Sequence, residues 1–223
     1  SGDKYDEALF ESRGRVFAAG FYAPVRDALC AVLDGRSEPL TLVDAGCGEG
    51  YYARAVQARF PAARVIGLDL NRDAVALAAR SAEHGGWFVA DLKHLPVRSG
   101  AADVVLNVFS PADYAEFRRV LAPDGELIKV VPGPDYLREV REAVAGYLRG
   151  GAYDNASVLA HLKAHADILS ETPVHSVASL TREASHDFLR MTPLTFSVPA
   201  DALEQIVLDH ITIDVRVLRC RMR

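Results

Sequence analysis

Three glycines at alternate positions, Gly46, Gly48 and Gly50, follow Asp44 closely in the run Asp44-Ala-Gly-Cys-Gly-Glu-Gly50. Glycine lets a backbone turn tightly and approach a ligand, so this run, leading from an apolar segment into a helix-like one, suits a nucleotide-type cradle. A carboxylate at its head, Asp44, can hold a cationic group directly or through water. Roughly twenty residues beyond the glycines, Asp69 closes a second apolar segment, where a carboxylate can accept hydrogen bonds from both hydroxyls of a ribose. Its plainer role would be a helix cap. Asp91, after a third such segment, can accept from an adenine amino group while Leu70 and Leu92 pack the ring; a simple turn aspartate is the competing role there.

The dinucleotide fingerprint G-x-G-x-x-G would need glycine at position 51, but Tyr51 stands there. The spacing fits D-x-G-x-G-x-G instead, which moves the expected cofactor from NAD to S-adenosylmethionine. Transfer of its sulfonium methyl is an in-line displacement. It asks a protein to position the nucleophile and exclude water, without a covalent intermediate, so no catalytic triad is required.

The segments that must position these residues alternate in period. Short stretches rich in Val, Leu or Ile at 40–44, 64–69, 87–90, 103–108 and 126–131 read as strands. Between them, 51–60, 73–81, 112–121 and 136–149 space their apolar residues as helices do. Segments 174–180 and 210–218 alternate like a closing antiparallel pair, with helix signals at 182–190 and 200–208. The expectation is an α/β fold: a doubly wound, mostly parallel seven-stranded sheet with helices on both faces. Ahead of it, 6–19 and 23–33 read as two helices broken at Gly20, with Pro24 suited to a first helical position. They form a candidate lid, giving a division into a helical segment 1–36 and a catalytic domain 37–223, with Gly150-Gly151 as punctuation.

With 223 residues, half of them hydrophobic and a quarter charged, the chain has ordinary globular composition. No apolar run is long enough to span a bilayer, and the first residues lack signal-peptide character; Ser1-Gly2 reads as a cleaved-tag remnant. Three separated cysteines, Cys30, Cys47 and Cys220, fit a reducing, cytoplasmic setting. A net charge of −5 argues against a general nucleic-acid binder, though not against a local basic patch. His161 and His165 have a helical metal spacing but no third ligand, so no metal is expected. Arg216, Arg219, Arg221 and Arg223 are candidate phosphate contacts, with surface solvation the plainer account.

Taken together, Arg13-x-x-x-Phe17-x-x-Gly20-x-Tyr22-x-Pro24, the glycine run, Asn107-Val-Phe-Ser-Pro111, Val131-Pro-Gly-Pro134 and Met191-Thr-Pro193 resemble the guanine-N1 methyltransferases of large-subunit (23S) ribosomal RNA. The resemblance covers nearly the whole chain and points to the branch acting on a hairpin loop near the macrolide-binding exit tunnel. It implies the class I S-adenosylmethionine-dependent fold, a 23S rRNA partner and, as a natural extension, a homodimer. It also implies cofactor contacts at Gly48, Glu49 and Tyr22, and at Tyr136, which stands where the family has histidine. The family opens with a zinc module absent here, and the chain begins near that junction, at Gly2-Asp3, which favours trimming.

Guanine N1 carries a proton at neutral pH, so an acceptor should lie near the target, and a loop base needs an aromatic or apolar slot. Asn107, Phe109 and Ser110, at the end of the fourth strand, are placed at this pocket, Phe109 as a stacking candidate with core packing as its alternative. Asn107 also counts as a cofactor contact, and Arg13 near the lid as an RNA contact. The proton acceptor itself is not identified. Two other functions fit the cofactor loop: a methyltransferase for a small metabolite, and a non-catalytic S-adenosylmethionine-binding ribosome-assembly module.

Overall fold

The computed structural model describes residues 7–36, 39–81, 84–148 and 155–223. Ser1-Gly2, Gly150-Gly151 and position 149, the expected helix end, lie outside the described residues. The core is a seven-stranded sheet with spatial order β3-β2-β1-β4-β5-β7-β6. Its strands are β1 (Thr41–Ala45), β2 (Arg64–Asp69), β3 (Gly86–Val89), β4 (Ala102–Val108), β5 (Leu121–Pro132), β6 (Ala166–Ser179) and β7 (His210–Met222). The first five are parallel in register, Asp44 lying opposite Gly67 on one side and Leu106 on the other. β7 enters antiparallel between β5 and β6.

The central strands are apolar because both faces are covered. One face, with Leu42, Leu106, Ile128 and Val217, packs under α1 (Glu7–Ala18), α2 (Ala23–Leu33) and α3 (Tyr51–Arg59). The other, with Val43, Val105, Leu127 and Leu218, packs under α5 (Tyr114–Val120) and α7 (Ala156–His165). α4 (Arg72–Arg80) begins at Asn71, whose side chain accepts from the Asp73 and Ala74 N–H groups. The capping role weighed for Asp69 therefore belongs to Asn71, and Asp69 is left for the loop. α1 and α2 bend by 74° at Gly20, which has φ +83°, as the glycine break requires. α1 packs on α8 (Arg182–Met191), where Arg15 makes a bidentate pair with Asp187. Among the described residues no single helix is long and apolar enough to cross a membrane.

Three segments depart from the sequence expectation. The helix expected over 136–149 is α6 (Arg138–Ala143) followed by a single 3₁₀ turn, Ala145–Tyr147. It cannot start earlier because Leu137 holds φ +49°, outside the helical region. β6 begins at Ala166, well before position 174, and runs through Pro173. Proline removes a ladder donor, but β6 is the sheet edge, where such a loss is tolerated. The helix at 200–208 is shorter, α9 (Ala200–Gln205).

Candidate functional site

The glycine loop hangs between β1 and α3 on backbone bonds that only a tight turn permits. The Gly46 and Cys47 N–H groups both donate to Leu68 O, at 2.8 and 3.0 Å. Gly46, Gly48 and Gly50 all have positive φ, from +53° to +87°. The Asp69 carboxylate holds the loop open, accepting from Gly48 N through Oδ2 and from Asn71 N through Oδ1, each at 2.9 Å. A carboxylate oxygen has two acceptor sites, so Asp69 can still receive a ribose hydroxyl. The single tryptophan, Trp87 on β3, lays its six-membered ring beside Gly50 and Gly67, 2.5–2.6 Å from where a Cβ at either would stand.

Two further carboxylates face the same hollow with an oxygen unsatisfied. Asp44 is 2% exposed with Oδ1 unpartnered, and Glu49 is 8% exposed with Oε1 unpartnered. Burial, and then the charge of Asp69, pushes the Asp44 carboxyl up to about 8. Burial likewise raises Glu49, against the pull of Arg13, whose Nη1 lies 3.8 Å from its Oε2. Buried carboxylate oxygens without partners are costly, and a bound cation relieves that cost. An acidic cradle whose glycines admit no side chain fits the cationic, nucleoside-bearing S-adenosylmethionine. Asp44 and Glu49 would hold its charged amino-acid end and Asp69 its ribose. When bound, this cofactor supplies an electrophilic methyl.

Around the cradle, residues far apart in sequence converge on one cavity of about 1400 Å³, larger than most small-molecule sites. Arg13, Tyr22, Asp44, Gly46, Gly48, Glu49, Asp69, Leu70, Phe109, Ser110 and Tyr136 all line it, together with Met191, Thr192 and Pro193. The Tyr22 and Tyr136 hydroxyls lie 2.6 Å apart, and burial raises the Tyr22 phenol well above its ordinary value, so Tyr22 keeps its proton. Phe17 stacks flat on Tyr51 at 4.1 Å, closing the wall beneath α1. Phe109 stacks on Tyr136, with centroids 5.3 Å apart and planes 22° apart, and meets Tyr22 edge-on. It is 38% exposed and holds φ +51°, a strained conformation for a bulky side chain and of a kind that clusters at functional sites.

Other candidates stand elsewhere. Asn107 is fully buried behind the cavity wall: its Nδ2 donates to Ala45 O at 2.9 Å and Pro111 O at 3.0 Å, and its Oδ1 accepts from Lys129. Its polar atoms are thus used in fixing the 109–111 loop, which corrects the expectation of direct contact with cofactor or substrate. Asp91 and Leu92 are not among the cavity-lining residues, and Asp91 Oδ1 accepts from Lys93 N in its own turn. Arg13 also donates to Met191 O at 3.4 Å, tying α1 to the end of α8. Of the C-terminal arginines, Arg216 pairs with Glu171, Arg219 with the buried Glu126 and Arg223 with Asp167. His161 and His165 are exposed and pack around the Tyr114 ring. Lys129 is a buried cavity residue that sequence reading missed; its signal is a lysine between Leu127 and Val131 on an otherwise apolar strand face.

Residues 42–125, from β1 through the start of β5, match the methyltransferase-domain family model. A Bacillus subtilis protein assigned to the 23S rRNA (guanine-N(1)-)-methyltransferases is 36% identical, over 96% of this chain and 79% of that protein. The 23S rRNA (guanine(748)-N(1))-methyltransferase of Streptomyces fradiae is 30% identical over the same shares of the two chains. The fold matches the crystal structure of a TehB-like S-adenosylmethionine-dependent methyltransferase from Corynebacterium glutamicum with TM-score 0.57 at 16% identity, covering 96% of each chain. With the acidic glycine cradle and the converging aromatic wall, these matches show that the chain is an S-adenosylmethionine-dependent methyltransferase and belongs to the 23S rRNA guanine-N1 methyltransferase family.

Proposed function

We propose that this protein methylates N1 of a guanine in a hairpin loop of 23S rRNA, with the segment 1–36, which carries α1 and α2, acting as a lid over the domain formed by residues 37–223. The observation that carries this reading is the strained, exposed Phe109 stacked on Tyr136 at the edge of the cofactor cradle. A planar aromatic offered beside the cradle suits a flipped or loop-exposed base, and the cavity has volume for a nucleobase in addition to the cofactor. The substrate carried by both rRNA-modifying relatives agrees with it. A cytoplasmic location follows from that substrate, and a homodimer from the family resemblance; altered macrolide sensitivity is the phenotype to examine.

Primer extension along 23S rRNA tests the assignment, because a methyl on guanine N1 blocks Watson–Crick pairing and halts the polymerase. A stop present only in cells with the gene identifies the base, and no stop would overturn the assignment. Phe109→Ala removes the platform. Base–aromatic stacking is worth about 1–3 kcal/mol, so methylation of the RNA at saturating cofactor should slow roughly 5- to 150-fold. Cofactor affinity, measured by calorimetry, should fall less than the methylation rate, since Phe109 stacks on Tyr136 and makes no bond to the carboxylates of the cradle.

A further inference from the structure

One buried cation in the cavity wall is used neither by the acidic cradle nor by the aromatic platform. Lys129 on β5 lines the cavity although it is 3% exposed. Its Nζ donates to Asn107 Oδ1, and among the described residues no carboxylate lies within ion-pair distance of it. A buried ammonium without a counter-ion is disfavoured relative to the neutral amine. Burial accordingly pulls Lys129 down to about 8.

The neighbours sustain that lowered value, which leaves a minor neutral fraction at pH 7 that grows as pH rises through about 8. Asn107, opposite Lys129 on β4, is a neutral acceptor fixed by its own bonds to Ala45 and Pro111, so it orients the amine without stabilising a positive charge as an aspartate would. On β7, burial raises Cys220 to about 12, and on α5 burial raises Tyr114 to about 12, so both are uncharged near neutral pH. Asp44 on β1 is itself raised, and α7 contributes His161, whose ring lies 5.0 Å from that of Tyr114. An amine that spends one N–H on Asn107 keeps its lone pair free. Asn107 also holds Pro111 O, which couples the amine to the loop that presents Phe109.

We propose that the Lys129 amine is the catalytic base that accepts the N1 proton of the target guanine, an inference that rests on the guanine-N1 reading. The N1–H bond breaks and its proton goes to the Nζ lone pair. The N1 electron pair forms the bond to the methyl carbon, and the carbon–sulfur pair returns to sulfur. A neutral base, a neutral amine and a sulfonium thus give a neutral methylguanine, an ammonium and a thioether, so charge balances.

The test compares the wild-type protein with Lys129→Met and Lys129→Arg, each checked for folding by circular dichroism. Single-turnover N1-methylguanine formation is followed on a 23S rRNA transcript from pH 6 to 10, S-adenosylmethionine affinity by calorimetry, and the lysine Nζ signals by ¹⁵N NMR of the free protein. The chain has four lysines, so the titrating signal can be assigned by its loss in Lys129→Met. General-base removal should slow Lys129→Met by roughly 10²–10⁴-fold near neutrality, narrowing at high pH as solvent takes the proton. Cofactor affinity should be unchanged within about threefold, and the signal lost in Lys129→Met should have a midpoint near 8. Arginine keeps its protons, so Lys129→Arg should be as slow; recovery to near wild-type rate would show a structural cation and overturn the inference. Wild type that forms no N1-methylguanine overturns the guanine reading and this inference with it. Wild type that forms it while Lys129→Met forms it equally fast overturns Lys129 alone.

Discussion

Gly46→Ala is expected to abolish measurable cofactor binding. A Cβ at Gly46 would stand 2.0 Å from Ser110 Oγ and 2.5 Å from Ser110 Cβ. Rotating the serine relieves only the first clash, because its Cβ is fixed to the backbone of the 109–111 loop. The alanine must also hold φ +87°. Overpacking and left-handed strain each cost about 1–3 kcal/mol, and here both fall between the cofactor cradle and the loop that presents Phe109. Calorimetry should show at least a hundredfold loss of S-adenosylmethionine affinity and methyl transfer below detection, with roughly 2–5 kcal/mol lost from folding stability. The double variant Gly46→Ala with Ser110→Gly removes the collision but not the strain, so it should recover part of the stability. Gly14→Ala in α1 is the control: nothing lies within 4 Å of its Cβ, and stability there should hold or rise by up to about 1 kcal/mol. Unchanged cofactor affinity in Gly46→Ala would mean that the two loops are not in contact in solution.

The second large effect is a proton released on cofactor binding. Asp44 is raised to about 8 by burial and then by Asp69, so in the free protein it is protonated at pH 6.5. A cation bound beside it favours the carboxylate and lowers that value, which expels the proton. The sign follows from linkage: the complex holds fewer protons than the free protein, so affinity strengthens as pH rises from 6 toward 8, by at most tenfold per unit. Stability of the free protein moves the opposite way, because a raised carboxyl is a burden that grows from the unfolded value up to about 8. Calorimetry at pH 6.5 in buffers of different ionisation enthalpy should report about one proton released. Asp44→Asn should abolish the release, weaken binding about 10- to 150-fold through loss of a charge-assisted bond, and leave the free protein more stable at pH 8. Equal proton release in Asp44→Asn would assign the proton to another group, Glu49 first.

What could be read from sequence was what local chemistry fixes. The glycine run, Asp44 and Asp69 declare themselves by spacing, since the turn and the strand ends set their positions wherever the rest of the chain goes. The parallel order of β1 to β5 followed from alternating periods. Pairing across the sheet was less legible. Asn107 looked like a site residue because polar residues at strand ends usually face a ligand, yet it is fully buried, with its amide fixed between Ala45 and Pro111. Lys129 escaped notice because one lysine among Leu, Ile and Val reads as a side chain that snorkels to solvent. Its burial depends on Asn107 opposite it, a pairing that appears only once β4 and β5 are aligned. The early start of β6 was hidden by Pro173, whose tolerance depends on the strand being an edge, a property of the whole sheet.

The position of Trp87 gives this protein an optical handle of its own. It is the only indole in the chain, and its ring lies against Gly50, at the helix end of the cradle, and against Gly67 on β2. Its Nε1 is buried without a hydrogen-bond partner among the described residues, so its emission should sit toward the blue. A ring wedged between the glycine turn and the strand beneath it should respond to how that turn is occupied. Intrinsic fluorescence, with no label and no engineered probe, should therefore change when S-adenosylmethionine binds, and a titration followed at the tryptophan emission checks it.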